Sequence, residues 1–210
     1  LLGKDKSFVH LKNQKKLKTL ELKMEILIIT GPPYSGKGTQ CEILKDELKF
    51  EHISTGDRCR LEKQNETEIG KIMSQYEEKG DLVPDSIMKD LFSKILDENR
   101  NANGIILDGY PRTEPQVNDL LELVKSKNLE IGKVINIDVP KEELLKRAQK
   151  RAETSNRKDD KDASIHIKRI EVFESSTRPA IEYMKSKIKV LTFDGMGTIE
   201  EITKRIKDNL

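Results

Sequence analysis

The chain has 210 residues, with 39 Lys and Arg against 37 Asp and Glu, 35% apolar residues and 4% aromatics. A net charge of +2 gives no general ground for a nucleic-acid or membrane partner, and no apolar run approaches the roughly 20 residues of a membrane span. The two cysteines, Cys41 and Cys59, cannot build a disulfide framework and form no CxxC pair for zinc, so the chain reads as a protein of a reducing compartment with one domain and small appended lobes at most.

Residues 1–23, LLGKDKSFVHLKNQKKLKTLELK, differ from the rest. They are Lys-rich and begin with Leu, so a trimmed chain or fragment is expected. They lack the apolar core of a signal peptide and the Arg/Ser-rich, acid-poor pattern of a transit peptide. They read as an extension of unassigned purpose, for which nucleic-acid or acidic-lipid binding rests on composition alone.

From residue 24 onward, strand-like runs alternate with helical patterns. The strands are EILIIT (25–30), EHIS (51–54), GIILD (104–108), KVINID (133–138) and KVLTF (189–193). Most are continuously apolar, as strands covered on both faces are. Helical stretches fall at 37–49, 67–79, 85–98, 114–127, 141–152, 164–185 and 198–208, several with recognisable starts such as Pro84-Asp85 and Thr198 followed by IEE. The alternation predicts an α/β fold with a parallel sheet. Residues 153–164, ETSNRKDDKDAS, break the helical pattern and read as an exposed loop or small lid.

GPPYSGKGT (31–39) follows the first strand and opens the first helix. Strand, Gly-rich turn and helix is the setting of a phosphate-binding loop. Gly31 and Gly36 let successive N–H groups point into one concavity, the helix N-terminus adds its dipole, and Lys37 supplies a mobile charge. Two details depart from the general pattern. Gly38 stands where Ser or Thr is usual, moving the hydroxyl to Thr39, and Tyr34 sits inside the loop. A tyrosine does not readily take positive φ. The expectation is negative φ at Tyr34 with its ring turned out towards the lid; positive φ, or a ring filling the phosphate pocket, would favour an inactive protein.

Four further stretches bear on a second anion. STGDRCR (54–60) follows the second strand, GDLVPD (80–85) precedes a Pro-led helix, LDGYPRTEPQ (107–116) ends the third strand, and KRAQKRAETSNRKDD (146–160) carries Arg147 and Arg151 one helical turn apart with Arg157 beyond. Taken singly, these read as a helix cap, a turn, a Gly–Pro turn and a solvated cationic helix. The chain has only 10 arginines against 29 lysines, and six arginines (Arg60, Arg112, Arg147, Arg151, Arg157, Arg169) fall in or beside these stretches. Surface charge is left to lysine, and arginine appears where bidentate contact with phosphate oxygens would help.

In GKGTQ and the four stretches that follow in order, the chain resembles the adenylate kinase and nucleoside monophosphate kinase family over about residues 25–210. The resemblance implies a P-loop three-layer α/β/α fold with a five-stranded parallel sheet, a helical monophosphate-binding lobe at about 54–84 and a short lid at about 152–163. It implies the reaction ATP + AMP ⇌ 2 ADP with Mg²⁺, in a monomeric, cytoplasmic protein, with a mitochondrial location left open. ATP would meet Gly31, Ser35, Gly36, Lys37, Gly38, Thr39, Arg147 and Gly195. AMP would meet Thr55, Gly56, Arg60, Leu82, Val83, Gly109, Arg112, Gln116, Arg157 and Arg169. Lys37, Arg112, Arg147, Arg151, Arg157 and Arg169 would act on the transferring phosphoryl, Asp108 would hold Mg²⁺ through water, and Asp159 and Asp160 would latch the lid.

Departures from the family pattern are Tyr34, Asn156 for a usual Gly, and one extra residue before Arg169, which leaves Lys168 as its competitor. A UMP/CMP kinase, or a nucleotide-binding scaffold of weak activity, are the other readings. Thr55-Gly56 and Gln116 favour AMP over a pyrimidine. His10, His52 and His166 show no mutual spacing for chemistry and are expected to be structural or surface residues.

Overall fold

The structure is a computed structural model that describes residues 24–154 and 162–210. The leader and the segment 155–161, with Asn156, Arg157, Asp159 and Asp160, lie outside the described residues.

Five parallel strands form one sheet in the order β2–β3–β1–β4–β5: β1 (Glu25–Thr30), β2 (Glu51–Ser54), β3 (Gly104–Asp108), β4 (Glu130–Asp138) and β5 (Val190–Asp194). The helices are α1 (Lys37–Leu48), α2 (Thr55–Gln64), α3 (Glu68–Glu77), α4 (Asp85–Glu98), α5 (Glu114–Ser126), α6 (Lys141–Thr154), α7 (Ala163–Val172), α8 (Arg178–Lys185) and α9 (Ile199–Lys207). Expected strands match in place, with β4 starting three residues earlier. α2, marked in the sequence only as a helix cap at 54–60, precedes α3; they are capped by Ser54 and Thr67, whose hydroxyls accept from Asp57 N and Gly70 N.

The apolar strands are explained by two cores. In β1, Ile26 and Ile28 pack on one face, with Phe92, Ile95, Val117, Leu120 and Met184 of α4, α5 and α8. Leu27 and Ile29 pack on the other, with Cys41, Leu44, Ile202 and Ile206 of α1 and α9. Both faces of β1 are therefore buried, which is why period-two alternation is absent. Burying these side chains contributes roughly 1.5–3 kcal/mol each and holds β1 at the sheet centre. Its carboxyl end, between those of β3 and β4, is where open α/β sheets place ligands.

α7 runs into α8 through a π-helical turn, Phe173–Thr177. Such wide turns recur at functional sites, and Val172, Phe173 and Thr177 line the cleft described below. Among the described residues, no helix is long and apolar enough to cross a membrane.

The rings of Phe92 and Tyr110 stack at 3.7 Å with an interplanar angle of 10°, tying α4 to the end of β3. Phe92→Ala is expected to cost about 3–5 kcal/mol in urea unfolding, with little change in m-value. A loss below about 1 kcal/mol would contradict this packing.

Candidate functional site

The turn after β1 is shaped by its backbone. Ser35 N donates to Pro32 O at 3.2 Å, closing a four-residue turn with Pro33 second and Tyr34 third. Proline suits the second place of such a turn, and positive φ at the third is the mark of type II. Tyr34 has φ 69°. The expectation of negative φ is therefore wrong, because the turn's geometry overrides the residue's preference; the positive φ set down as favouring an inactive protein is present, but it is the φ that this turn requires. Left-handed backbone in a non-glycine residue costs about 1–2 kcal/mol.

The ring does turn towards the lid side. It packs with Val139, Leu144 and Ile170, and its hydroxyl is 2.5 Å from His166 Nδ1 of α7. The His166 ring lies edge-on, centroids 5.2 Å apart, and the Arg151 guanidinium sits 5.8 Å above the tyrosine ring. These contacts offset the strained backbone. His166 is buried, with a defined partner 132 residues away.

The remaining loop has the form of an anion cradle. At Gly31 a Cβ would meet Ile137 O at 2.3 Å. Gly36, the N-cap of α1, has φ 91°. Lys37 reaches back to donate to Pro32 O at 3.0 Å. Burial lowers its pKa, and facing Asp108 opposes the effect. Ser35 is buried, and its Oγ has no hydrogen-bond partner among the described residues.

Asp108, at the end of β3, faces this loop. Burial pushes its pKa up, but His52, Lys37 and Arg112 outweigh that, so the carboxyl stays below its ordinary value and ionised. His52 lies between two carboxylates: Nδ1 is 2.5 Å from Glu42 Oε1 and Nε2 is 3.5 Å from Asp108 Oδ2. Burial lowers the His52 pKa, and the two carboxylates overcome it, for a net rise.

A cleft of about 750 Å³ joins these groups to the motifs further along, within the range of small-molecule sites. Gly38, Thr39, Thr55, Gly56, Leu82, Val83, Gly109, Gln116, Arg147, Arg151 and Arg169 all border it, as do Gly31, Gly36, Lys37, Arg60, Asp108 and Arg112. Lys168 instead pairs with Asp81 at 3.3 Å. Gly195 and Ser35 do not line this cleft; each is tied to it by Arg147, whose Nη2 donates to Gly195 O at 3.0 Å and Nη1 to Ser35 O at 3.4 Å.

Several of these side chains are already engaged. Arg60 pairs with Asp57 and with Glu77 (3.4 Å). Arg112 donates through Nε to Gly109 O at 2.5 Å. Gly109 has φ 79°, a backbone that glycine takes without strain, and a Cβ there would lie 2.6 Å from Arg112 Nη2 and push the guanidinium aside. Thr55 Oγ1 donates to Asp108 O at 3.0 Å. The Gln116 amide accepts from Arg112 N (2.8 Å) and donates to Asp85 (2.7 Å), leaving one hydrogen and one lone pair for other partners. No local pattern marks the contributions of Glu42, His52, Glu77 and Asp85, because each depends on a partner from another element.

A phosphate cradle at the central strand, facing arginines across a carboxylate, defines a P-loop nucleotide-binding protein. The family profile described as adenylate kinase matches residues 29–189. An adenylate kinase of Parabacteroides distasonis is 42% identical over 87% of this chain and 95% of its own length. Those of Leptospira biflexa (40%; 87% and 98%) and Flavobacterium psychrophilum (37%; 87% and 96%) are similar to it as well. The chain belongs to the adenylate kinase family.

Tyr34→Phe is expected to lower stability by about 0.5–1.5 kcal/mol, and His166→Ala should cost less in that background than in the wild type. Additivity within about 0.3–0.5 kcal/mol in this double-mutant cycle would show that the two side chains are uncoupled.

Proposed function

We propose that the protein transfers the γ-phosphoryl of ATP to AMP, giving two ADP, and runs the reaction in both directions. The observation that carries this reading is the pair of cationic walls in one cleft: Lys37 and the loop amides on one side, Arg60 and Arg112 on the other, with the ionised Asp108 beside Lys37. Two polyanions must be held in line, and phosphoryl transfer asks for positioning and charge stabilisation more than covalent help.

In this reading the donor phosphates lie against Gly31, Ser35, Gly36, Lys37, Gly38 and Thr39. The orphaned Ser35 hydroxyl supports a polar ligand there. Arg147 and Gly195 border the donor's nucleoside end. Arg60 and Arg112 hold the AMP phosphate, while Thr55, Gly56, Leu82, Val83, Gly109 and Gln116 surround its nucleoside. Arg151 and Arg169, with Arg157, surround the transferring group. The segment 54–84 serves as the AMP lobe and 152–163 as the short lid, whose closure excludes water.

Asp108 fits Mg²⁺, since a hard cation in a nucleotide site takes one or two carboxylates and keeps its other waters. When bound, Mg²⁺ would neutralise charge on the β and γ oxygens. The same reading takes the enzyme as a cytoplasmic monomer whose partners are ATP, AMP and ADP. The relatives' names, all adenylate kinase, favour it over a pyrimidine kinase or an inactive scaffold.

A coupled ADP-formation assay tests it. AMP is expected to outrun CMP and UMP; a pyrimidine monophosphate faster than AMP, or no turnover, would overturn the proposal. Lys37→Met should lower kcat at least about 100-fold, the scale of one lost transition-state donor. Arg112→Ala should raise KM for AMP roughly 10- to 100-fold, as loss of a charge-assisted phosphate contact implies.

A further inference from the structure

Beneath the phosphate loop, three potential ligands from three elements converge: Cys41 Sγ from α1, a ring nitrogen of His52 from β2, and an Asp108 oxygen from β3, all within 4.8 Å of one another. Two observations single this cluster out. The His52 side chain is 7% exposed, and its Nε2, on the side facing Asp108, has no hydrogen-bond partner among the described residues. Its other nitrogen meets the Glu42 carboxylate at 2.5 Å. A carboxylate on the far nitrogen is how proteins orient a metal-ligating histidine, and the near nitrogen becomes a ligand when the cationic ring gives up that nitrogen's proton.

The spacing is near what a tetrahedral ion needs. Ligands at about 2.0–2.3 Å from zinc stand roughly 3.3–3.7 Å apart. His52 Nε2 and Asp108 Oδ2 are already 3.5 Å apart, and the other pairs, within 4.8 Å, need to close by up to about 1.5 Å. Charge also closes. Burial and Asp108 push the Cys41 thiol's pKa well up, so the metal-free protein keeps the thiol; once the ion displaces its proton, thiolate, Asp108 and Glu42 give three negative charges, against two on the ion and one on Lys37, to which Arg112 adds positive field. His52, Glu42 and Asp108 border the cleft, which provides an entry path, while Cys41 is fully buried next to them. Thiolate and imidazole select a borderline-soft ion over Mg²⁺.

We propose that Cys41, His52 and Asp108 form a Zn²⁺ site at the floor of the cleft, with Glu42 orienting His52, and that occupancy withdraws Asp108 from nucleotide-bound Mg²⁺. The Cys41 thiol proton and the Nε2 proton of the His52 cation pass to buffer on binding. Zn²⁺ is then an inhibitor that excess Mg²⁺ does not readily displace. The inhibitory consequence rests on the proposed kinase reaction; the site itself does not.

Binding is tested on the untagged, chelator-treated full chain by calorimetry with Zn²⁺ and by absorption with Co²⁺ as a spectroscopic stand-in. Expected are one Zn²⁺ per chain and a Co²⁺–thiolate charge-transfer band that persists in Cys59→Ala and vanishes in Cys41→Ala. Glu42→Gln should weaken Zn²⁺ roughly 10- to 100-fold, the usual effect of a supporting carboxylate, and His52→Gln by more. Should Cys41→Ala fail to fold by circular dichroism, the Cys59→Ala band and the Glu42→Gln affinity decide. Absence of the band in the wild type, or Zn²⁺ affinity unchanged in Cys41→Ala or Glu42→Gln, would overturn the site and leave His52 as a cation bridging two carboxylates. If Zn²⁺ binds as described but turnover in excess Mg²⁺ is unaffected, the site stands and its inhibitory role falls.

Discussion

The carboxylate of Asp108 is the charge around which the cleft is arranged. Lys37, His52 and Arg112 all face it, and Thr55 is fastened to its carbonyl. An isolated buried carboxylate would take up a proton; three cations keep this one ionised. In return, Asp108 offsets part of the cost of burying Lys37 and Arg112, for which desolvation is the largest influence. Removing one partner would leave the others uncompensated, a more serious change than losing a single ion pair at the surface.

That arrangement is possible because β1 and β3 end side by side. Their parallel register pairs Ile28 with Leu107 and Ile29 with Asp108, so the loop leaving β1 and the carboxylate ending β3 emerge at one level. The two hydrophobic cores hold both strands from either face. Packing thereby fixes the positions of groups that carry no packing energy themselves, and the site's precision is a property of the sheet rather than of the loops.

Much of this was legible in the sequence. Continuous apolar runs gave the doubly covered strands, and Gly31, Gly36 and Lys37 placed after one of them gave the loop. The scarcity of arginine made Arg60, Arg112, Arg147, Arg151 and Arg169 conspicuous, and all five border the cleft. Pairings across the chain were not legible. Tyr34 with His166, and His52 with both Glu42 and Asp108, join residues whose separation carries no periodic signal. The φ of Tyr34 departs from the residue's intrinsic preference because the Pro32–Ser35 turn sets it and apolar contacts compensate for it. Gln116 reads as a base-contacting amide, yet two of its hydrogen-bonding positions are occupied by Arg112 and Asp85, a detail only the fold can supply.

Arg60, Arg112 and Arg147 each hold protein oxygens. An incoming anion therefore enters as a competitor and exchanges one set of hydrogen bonds for another. A single small anion gains little from such an exchange at any one arginine. A nucleotide whose phosphates engage several arginines and the loop amides together makes the exchanges jointly, because the first contact raises the effective concentration of the rest. On the proposed function the cleft is thus a discriminator by valency: free phosphate has one point of attachment, whereas the polyphosphate donor, and AMP through its phosphate and nucleoside together, have several.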